Sequence, residues 1–215
     1  MRVKKSQAEI NKILRVLEDM YPDAKCELNY HNAFQMLIAT ILSAQTTDKK
    51  VNKVTKELFE KYKTPKDFLQ LEIVELENII KEIGLYRSKA KNVLNTCRIL
   101  VEAYDGKVPN SRIELMKLPG VGRKTANVVL SNVFGVPAIA VDTHVFRVSN
   151  RIGLADSDNV KDTEKQLMEN IPKNKWTKAH HMLIFHGRRI CKAKNPKCDM
   201  CLLKQHCKYY NDCIQ

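Results

Sequence analysis

The chain has 215 residues, enough for one large domain or two small ones. Its 44% apolar content excludes a disordered chain, and no apolar run of roughly 18 residues is present to span a membrane. Lys and Arg outnumber Asp and Glu by 37 to 24, and the formal charge of +13 is spread along the chain rather than held in a tail. This points to a folded basic face for a polyanion, nucleic acid first and a membrane surface as the alternative.

In chain order, the N-terminal MRVKKSQAEINKIL has no apolar core and no small-residue cleavage site, so no signal peptide is expected. The protein is read as not secreted and resident in a reducing compartment. Ile10, Ile13, Leu14 and Leu17 recur at helical spacing, with Pro22 just past the stop. Phe34, Leu37, Ile38, Ile41 and Leu42 form a second stripe. Val51, Val54 and Leu58 form a third, ahead of Thr64-Pro65, a cap followed by proline at the first helical position. Leu76, Ile79, Ile80 and Ile83 predict a helix that stops at Gly84. Ala90, Val93, Leu94, Cys97 and Val101 follow, and Ser111 with Glu114 reads as a capping box. Ala126, Val129, Leu130 and Val133 predict a helix stopped by Gly135. Asp142 is placed to cap the next, which ends near Gly153, and Leu167, Ile171, Trp176, Leu183 and Ile184 predict two more. The one strand-like run, PAIAV, is too short to build a sheet. The expected fold class is all-α, without internal repeat, low-complexity stretch or linker.

Seven cysteines, an odd number in a reducing compartment, argue against a disulfide framework. Cys191, Cys198, Cys201 and Cys207 form C-x6-C-x2-C-x5-C within 17 residues. Four soft thiolates this close in sequence suit one metal centre. Structural zinc sites bring two C-x2-C pairs together, whereas here one pair is flanked by single cysteines, which favours an iron–sulfur cubane over zinc and over chance clustering. Arg188, Arg189, Lys192, Lys194, Lys197 and Lys204 surround these cysteines. They form either a solvated basic loop or a metal-tied loop that presents cations to phosphates. Cys26, Cys97 and Cys213 lack a partner pattern, and Cys97 on an apolar face is expected to be a core thiol. His180, His181 and His186 lack a metalloprotease spacing and are read as packing or phosphate contact.

LPGVGRKTANVVL, residues 118–130, places Gly120, Val121 and Gly122 between two helical patterns, about 111–118 and 123–134. Glycine allows the sharp reversal and a close approach of backbone to ligand, and the free amides of the second helix make an anion site. A tight turn without a ligand is the plain alternative. Arg123 and Lys124 fall in the first turn, where the helix dipole disfavours cations. Such a lysine serves either as a phosphate contact or as a nucleophile whose amine is eased toward neutrality. Asp142 reads as an N-cap, or as a carboxylate that stabilises a developing sugar cation.

LPGVGRKTANVVL, AVDTHVFRV, ILSAQTTD, IGLYRSKA and the four-cysteine tail together resemble the endonuclease III family of helix-hairpin-helix DNA glycosylases, over about residues 8–210. The resemblance implies two all-α lobes: a six-helix barrel at 26–136 that contains the hairpin, and a cluster lobe at 1–25 plus 137–215, with DNA in the cleft between them. It implies a 4Fe–4S cluster on Cys191, Cys198, Cys201 and Cys207. It also implies a bifunctional glycosylase and abasic-site lyase acting on double-stranded DNA with oxidised pyrimidines or abasic sites. By matching position, Lys124 would attack C1′ of a flipped nucleotide with help from Asp142. Gly120, Val121, Gly122, Arg123, His144, Arg147 and Lys194 would meet the DNA backbone. Gln45 would fill the vacated space and Leu85 would wedge into the stack; the plain readings are polar helix surface for Gln45 and a core or C-cap apolar contact for Leu85. Adenine-mismatch glycosylases lack the lysine and use a glutamate near IATILSAQTT, where none occurs. A monomer is expected, in a bacterial or archaeal cytoplasm at the nucleoid.

Overall fold

The structure, a computed structural model, describes residues 5–213 apart from the side chain of Cys213. The outermost residues of the expected cluster lobe, 1–4 and 214–215, and the Cys213 thiol lie outside the described residues. All regular structure among the described residues is helical. The chain divides into two compact units, Glu27–Val136 and the pair of segments Met1–Cys26 and Pro137–Gln215.

The first unit is built around α2 (Ala33–Ser43), in which nine of eleven residues, Phe34 through Leu42, are buried. A helix apolar on every side must be enclosed. It packs on α3 (Asp48–Lys61), α6 (Tyr86–Tyr104) and α8 (Arg123–Val133), while α6 also carries α4 (Pro65–Phe68) and α5 (Ile73–Ile79). The short α7 (Arg112–Leu115) leads into α8. α4 is only one turn long, yet Thr64 and Asp67 close the capping box that Thr64-Pro65 suggested. Its Phe68 is fully buried and meets Phe34 and Tyr62 edge to face at 5.2 and 5.9 Å.

The second unit packs α1 (Gln7–Met20) and α9 (Thr143–Ile152) on α11 (Trp176–Arg189), with α10 (Val160–Asn170) and α12 (Lys208–Cys213) against α9. Ser6 and Glu9 box the start of α1, and Ile10, Ile13, Leu14 and Leu17 join Val145, Val148, Ile152 and Leu183 in one core. PAIAV is an extended connection rather than a strand, and its Ala138, Ile139, Ala140 and Val141 are buried. Among the described residues no helix is long and apolar enough to cross a membrane.

Two local expectations are corrected. The helix predicted to run to Gly84 ends at Ile79, although Ile80 and Ile83 stay buried in the turn that follows. Gly84 is therefore no helix stop. A Cβ there would stand 3.3 Å from the Gln45 carbonyl, so the glycine lets two turns touch. The Ser111–Glu114 box does not form. Glu114 instead accepts from the Tyr104 hydroxyl at 2.7 Å and from Lys117 Nζ at 2.8 Å, and these partners outcompete the cap.

His180, His181 and His186 are all buried, so packing holds for them and phosphate contact does not. Burial pushes His181 down from 6.5 to about 4. It is neutral in the fold while the unfolded chain protonates, so its stabilisation is present above pH 6.5 and is lost as pH falls toward 4. That loss is about 3 kcal/mol, and urea unfolding at pH 7 and pH 4.5 should show it, with His181→Asn flattening the pH dependence. Phe68→Ala should destabilise by about 3–5 kcal/mol in the same assay.

Candidate active site and cluster domain

Gly120, at φ +76, makes the reversal that a side chain would resist, and Gly122 starts α8 as an extended N-cap without any side-chain capping bond. No side chain caps the start of this eleven-residue helix at Gly122. Arg123 and Lys124 both stand exposed on that first turn. The turn is held from beneath by α6. Thr96 Oγ1 donates to the Pro119 carbonyl at 3.1 Å, and a Cβ on Gly120 would meet Asn92 Nδ2 at 3.0 Å. Val121 is the buried member of the loop and anchors it in the core.

Gln45 and Leu85 are exposed, and both take left-handed backbone, at φ +54 and +59. That region is uncommon for a side chain with a Cβ and rare for leucine. Neither therefore lies on regular helix surface: Gln45 follows the end of α2, and Leu85 is the N-cap residue of α6.

In the other unit Asp142 is the N-cap of α9, with Oδ1 accepting from the Val145 amide at 2.7 Å. Among the described residues its carboxylate makes no further hydrogen bond. Arg147 is committed inside the unit. Its Nε donates to the Cys191 carbonyl at 3.1 Å, one terminal nitrogen to Thr143 O, and the other to Gly187 O at 3.0 Å with His144 Nδ1 at 3.2 Å. A guanidinium has five N–H groups, so Arg147 serves first as a strut between α9 and the end of α11. Lys194 is exposed in the loop after Cys191.

The four cysteines follow α11 on a path shaped by one-turn 3-10 segments, Cys198–Met200 and Lys204–His206, with the Cys201 amide donating to Cys198 O and the Cys207 amide to Lys204 O. Leu203 is buried between them. All four thiols are free of disulfides. Burial pushes Cys201 up to about 11 and raises Cys198 and Cys207, and the neighbouring cysteine thiols push the same way. Cys198, Cys201 and Cys207, so opposed in their ionisation, are stable as thiolates only around a strong positive centre, and a set of four cysteines suits iron–sulfur. The donor set fits that group.

Sequence reading missed the shell around these cysteines. Arg151, four residues beyond Arg147 on the same face of α9, donates to Lys192 O at 2.7 Å and Ala193 O at 3.1 Å and lies 3.6 Å from Cys191 Sγ. The Tyr21 hydroxyl bonds His186 Nδ1 at 3.0 Å, and His186 Nε2 lies 3.6 Å from Cys201 Sγ. With Tyr21 donating, the remaining ring N–H faces the Cys201 sulfur, an arrangement of the kind that supports metal ligands. The i, i+4 pair of arginines on α9 was the available signal. Lys89 was missed too, although it falls on the apolar stripe of Val93 and Cys97.

Residues 38–173 match the model of the HhH-GPD superfamily of base excision DNA repair proteins, and residues 191–207 match the iron–sulfur binding domain of endonuclease III. The class of protein is thus a helix-hairpin-helix base excision repair enzyme with a cluster domain. Endonuclease III of Bacillus subtilis is 53% identical over 201 residues, 93% of this chain and 92% of that one. Endonuclease III of Escherichia coli is 47% identical over 204 residues, 95% and 97% of the two chains. A solved trapped endonuclease III–DNA covalent intermediate superimposes with a TM-score of 0.93 at 52% identity, over 98% of this chain and all of that one. A thermostable thymine-DNA glycosylase follows with a TM-score of 0.86 at 28% identity, over 96% and 98%. The chain belongs to the endonuclease III family. It is a DNA glycosylase with abasic-site lyase activity, it binds DNA, and its cofactor is a 4Fe–4S cluster.

Removing the iron with a chelator should abolish the visible absorption of the cluster. Amide exchange at residues 191–207 should then quicken by about tenfold or more, one factor of ten being about 1.4 kcal/mol of lost protection, while α2 keeps its protection. Mass spectrometry of exchanged peptides checks both.

Proposed function

We propose that Lys124 is the nucleophile of the glycosylase and lyase reactions, that Asp142 stabilises the positive charge that develops on the sugar, and that the substrates are oxidised pyrimidines and abasic sites in double-stranded DNA. The observation that carries the reading is an exposed lysine on the first turn of a helix that follows a two-glycine reversal and has no side-chain cap at Gly122. Backbone amides grip phosphate without regard to base sequence, which suits an enzyme that must act wherever a lesion lies. The sugar carbon is out of reach in the stack, so the nucleotide is flipped out. Lys124 Nζ bonds to C1′, the glycosidic bond breaks, and the base leaves with its electron pair and takes up a proton. Opening of the sugar ring gives a Schiff base between Nζ and C1′. Loss of a proton from C2′ then expels the 3′ oxygen by β-elimination and nicks the strand. Gln45 and Leu85 enter the duplex, and Gly120, Val121, Gly122, Arg123, His144 and Lys194 contact its backbone. Arg147 shares in this only through the N–H that its internal bonds leave over.

Cys191, Cys198, Cys201 and Cys207 would hold the cluster, whose iron would supply the positive charge that keeps them as thiolates and so fixes the loop that carries Lys194. We further infer that Glu27–Val136 is the helix-hairpin-helix barrel domain and the other unit the cluster domain, and that the enzyme works as a monomer in a bacterial or archaeal cytoplasm, at the nucleoid.

Borohydride reduction on a duplex with one thymine glycol should trap a covalent adduct, and Lys124→Ala should abolish it while binding survives within a few-fold. An undiminished adduct in that variant overturns the assignment. Asp142→Asn separates charge from capping, because Asn caps about as well as Asp. Its thermal unfolding should match the parent while single-turnover base removal slows on the order of 10²-fold.

A further inference from the structure

Lys89 is 4% exposed, and among the described residues it is paired with no carboxylate. Its Nζ donates to Leu42 O at 2.9 Å, to Ala44 O at 2.5 Å and to Thr46 Oγ1 at 3.2 Å. The three N–H groups of an ammonium are thereby used up. Leu42 and Ala44 sit where α2 ends, so a lysine from another helix supplies the cap that the last carbonyls lack. The residue inside this grip is Gln45, in left-handed backbone. On its own helix Lys89 is equally close to the second such turn. Its amide donates to Leu85 O at 3.0 Å, one turn after the left-handed Leu85. The two turns also meet directly at Gly84, where an added Cβ would stand 3.3 Å from Gln45 O and 3.6 Å from Thr46 Oγ1. The stripe continues along α6, with Asn92 against Gly120 and Thr96 bonded to Pro119 O.

We propose that Lys89 is a positioning residue for lesion extrusion: its ammonium locks the Gln45 turn onto the N-terminus of α6, so that Gln45 and Leu85 are presented to the duplex as one rigid pair. Left-handed backbone at two non-glycine residues persists only where surrounding structure over-determines it, and Lys89 with Gly84 provides that constraint. The proposal rests on the reading that Gln45 and Leu85 enter the duplex. Its consequence is selective. A paired lesion must be pushed from the stack, whereas an abasic nucleotide has no base to unstack and leaves it at lower cost.

The test uses the full chain with its cluster and four variants: Lys89→Met, Gly84→Ala, the pair Gln45→Ala with Leu85→Ala, and that pair combined with Lys89→Met. Single-turnover strand cleavage is measured on a thymine glycol duplex and on the same duplex with an abasic site, well below each unfolding midpoint and at equal cluster content. Lys89→Met should slow the thymine glycol reaction by about tenfold or more, in the range that misplacement of a positioning group produces, and the abasic reaction by less than about threefold. Gly84→Ala should give the same split, which keeps the proposal testable if Lys89→Met folds poorly. Adding Lys89→Met to the Gln45, Leu85 pair should cause no further loss. Equal losses on both substrates, or a full additional loss in the combined variant, overturn the proposal alone. A Gln45, Leu85 pair that cleaves both substrates like the parent overturns the reading of those turns and the proposal with it.

Discussion

A buried ammonium with no anion opposite it is the constraint on which the unit Glu27–Val136 turns. Taking such a charge out of water costs several kcal/mol even after relaxation. Three charge-assisted hydrogen bonds at about 1.5–3 kcal/mol each offset that cost, and the negative end of the α2 dipole adds to them. Lys89 is stable where it is only if the Leu42 and Ala44 carbonyls and the Thr46 hydroxyl converge on one point. The chain beyond α2 is then obliged to reverse at Gln45. The same helix carries Asn92 and Thr96 beneath the glycine hairpin. One face of α6 thus sets two turns and the start of the hairpin.

Helix ends are treated in opposite ways in this unit. The carboxyl end of α2 is closed from inside by a nearly buried cation. The amino end of α8 has no side-chain cap at Gly122, and Arg123 and Lys124 stand exposed on its first turn. The dipole is the same in both helices. Closing one end builds the fold, and on the reading proposed above the other serves phosphate. Lys89 and Lys124 are thus separated by burial.

The basic excess divides in a similar way. Arg147 and Arg151 spend their N–H groups on carbonyls of the chain around Cys191, Lys192 and Ala193. The irregular loop that follows Cys191 has few regular hydrogen bonds of its own, and the two guanidinium groups supplement them. Lys194 in the same loop remains exposed. Part of the net charge of +13 is therefore scaffold, and the surplus available to a polyanion is smaller than composition suggests.

The sequence by itself determined what short-range physics controls. The all-helical class followed from 3.6-residue apolar spacing. The starts of the helices at Thr64 and Asp142 followed from capping residues, the hairpin from its glycines, and the metal-binding tail from four thiols within 17 residues. Each signal is complete within one or two helical turns. Only the tertiary structure decided matters of competition among distant partners. The helix before Gly84 gives up its last turn because the two turns must touch there. Glu114 leaves its cap for Tyr104 and Lys117. Lys89 finds carbonyls 45 and 47 residues away, and Arg147 reaches one 44 residues away. Local spacing shows where a side chain points along its own helix, but not which distant backbone carbonyl will be waiting there.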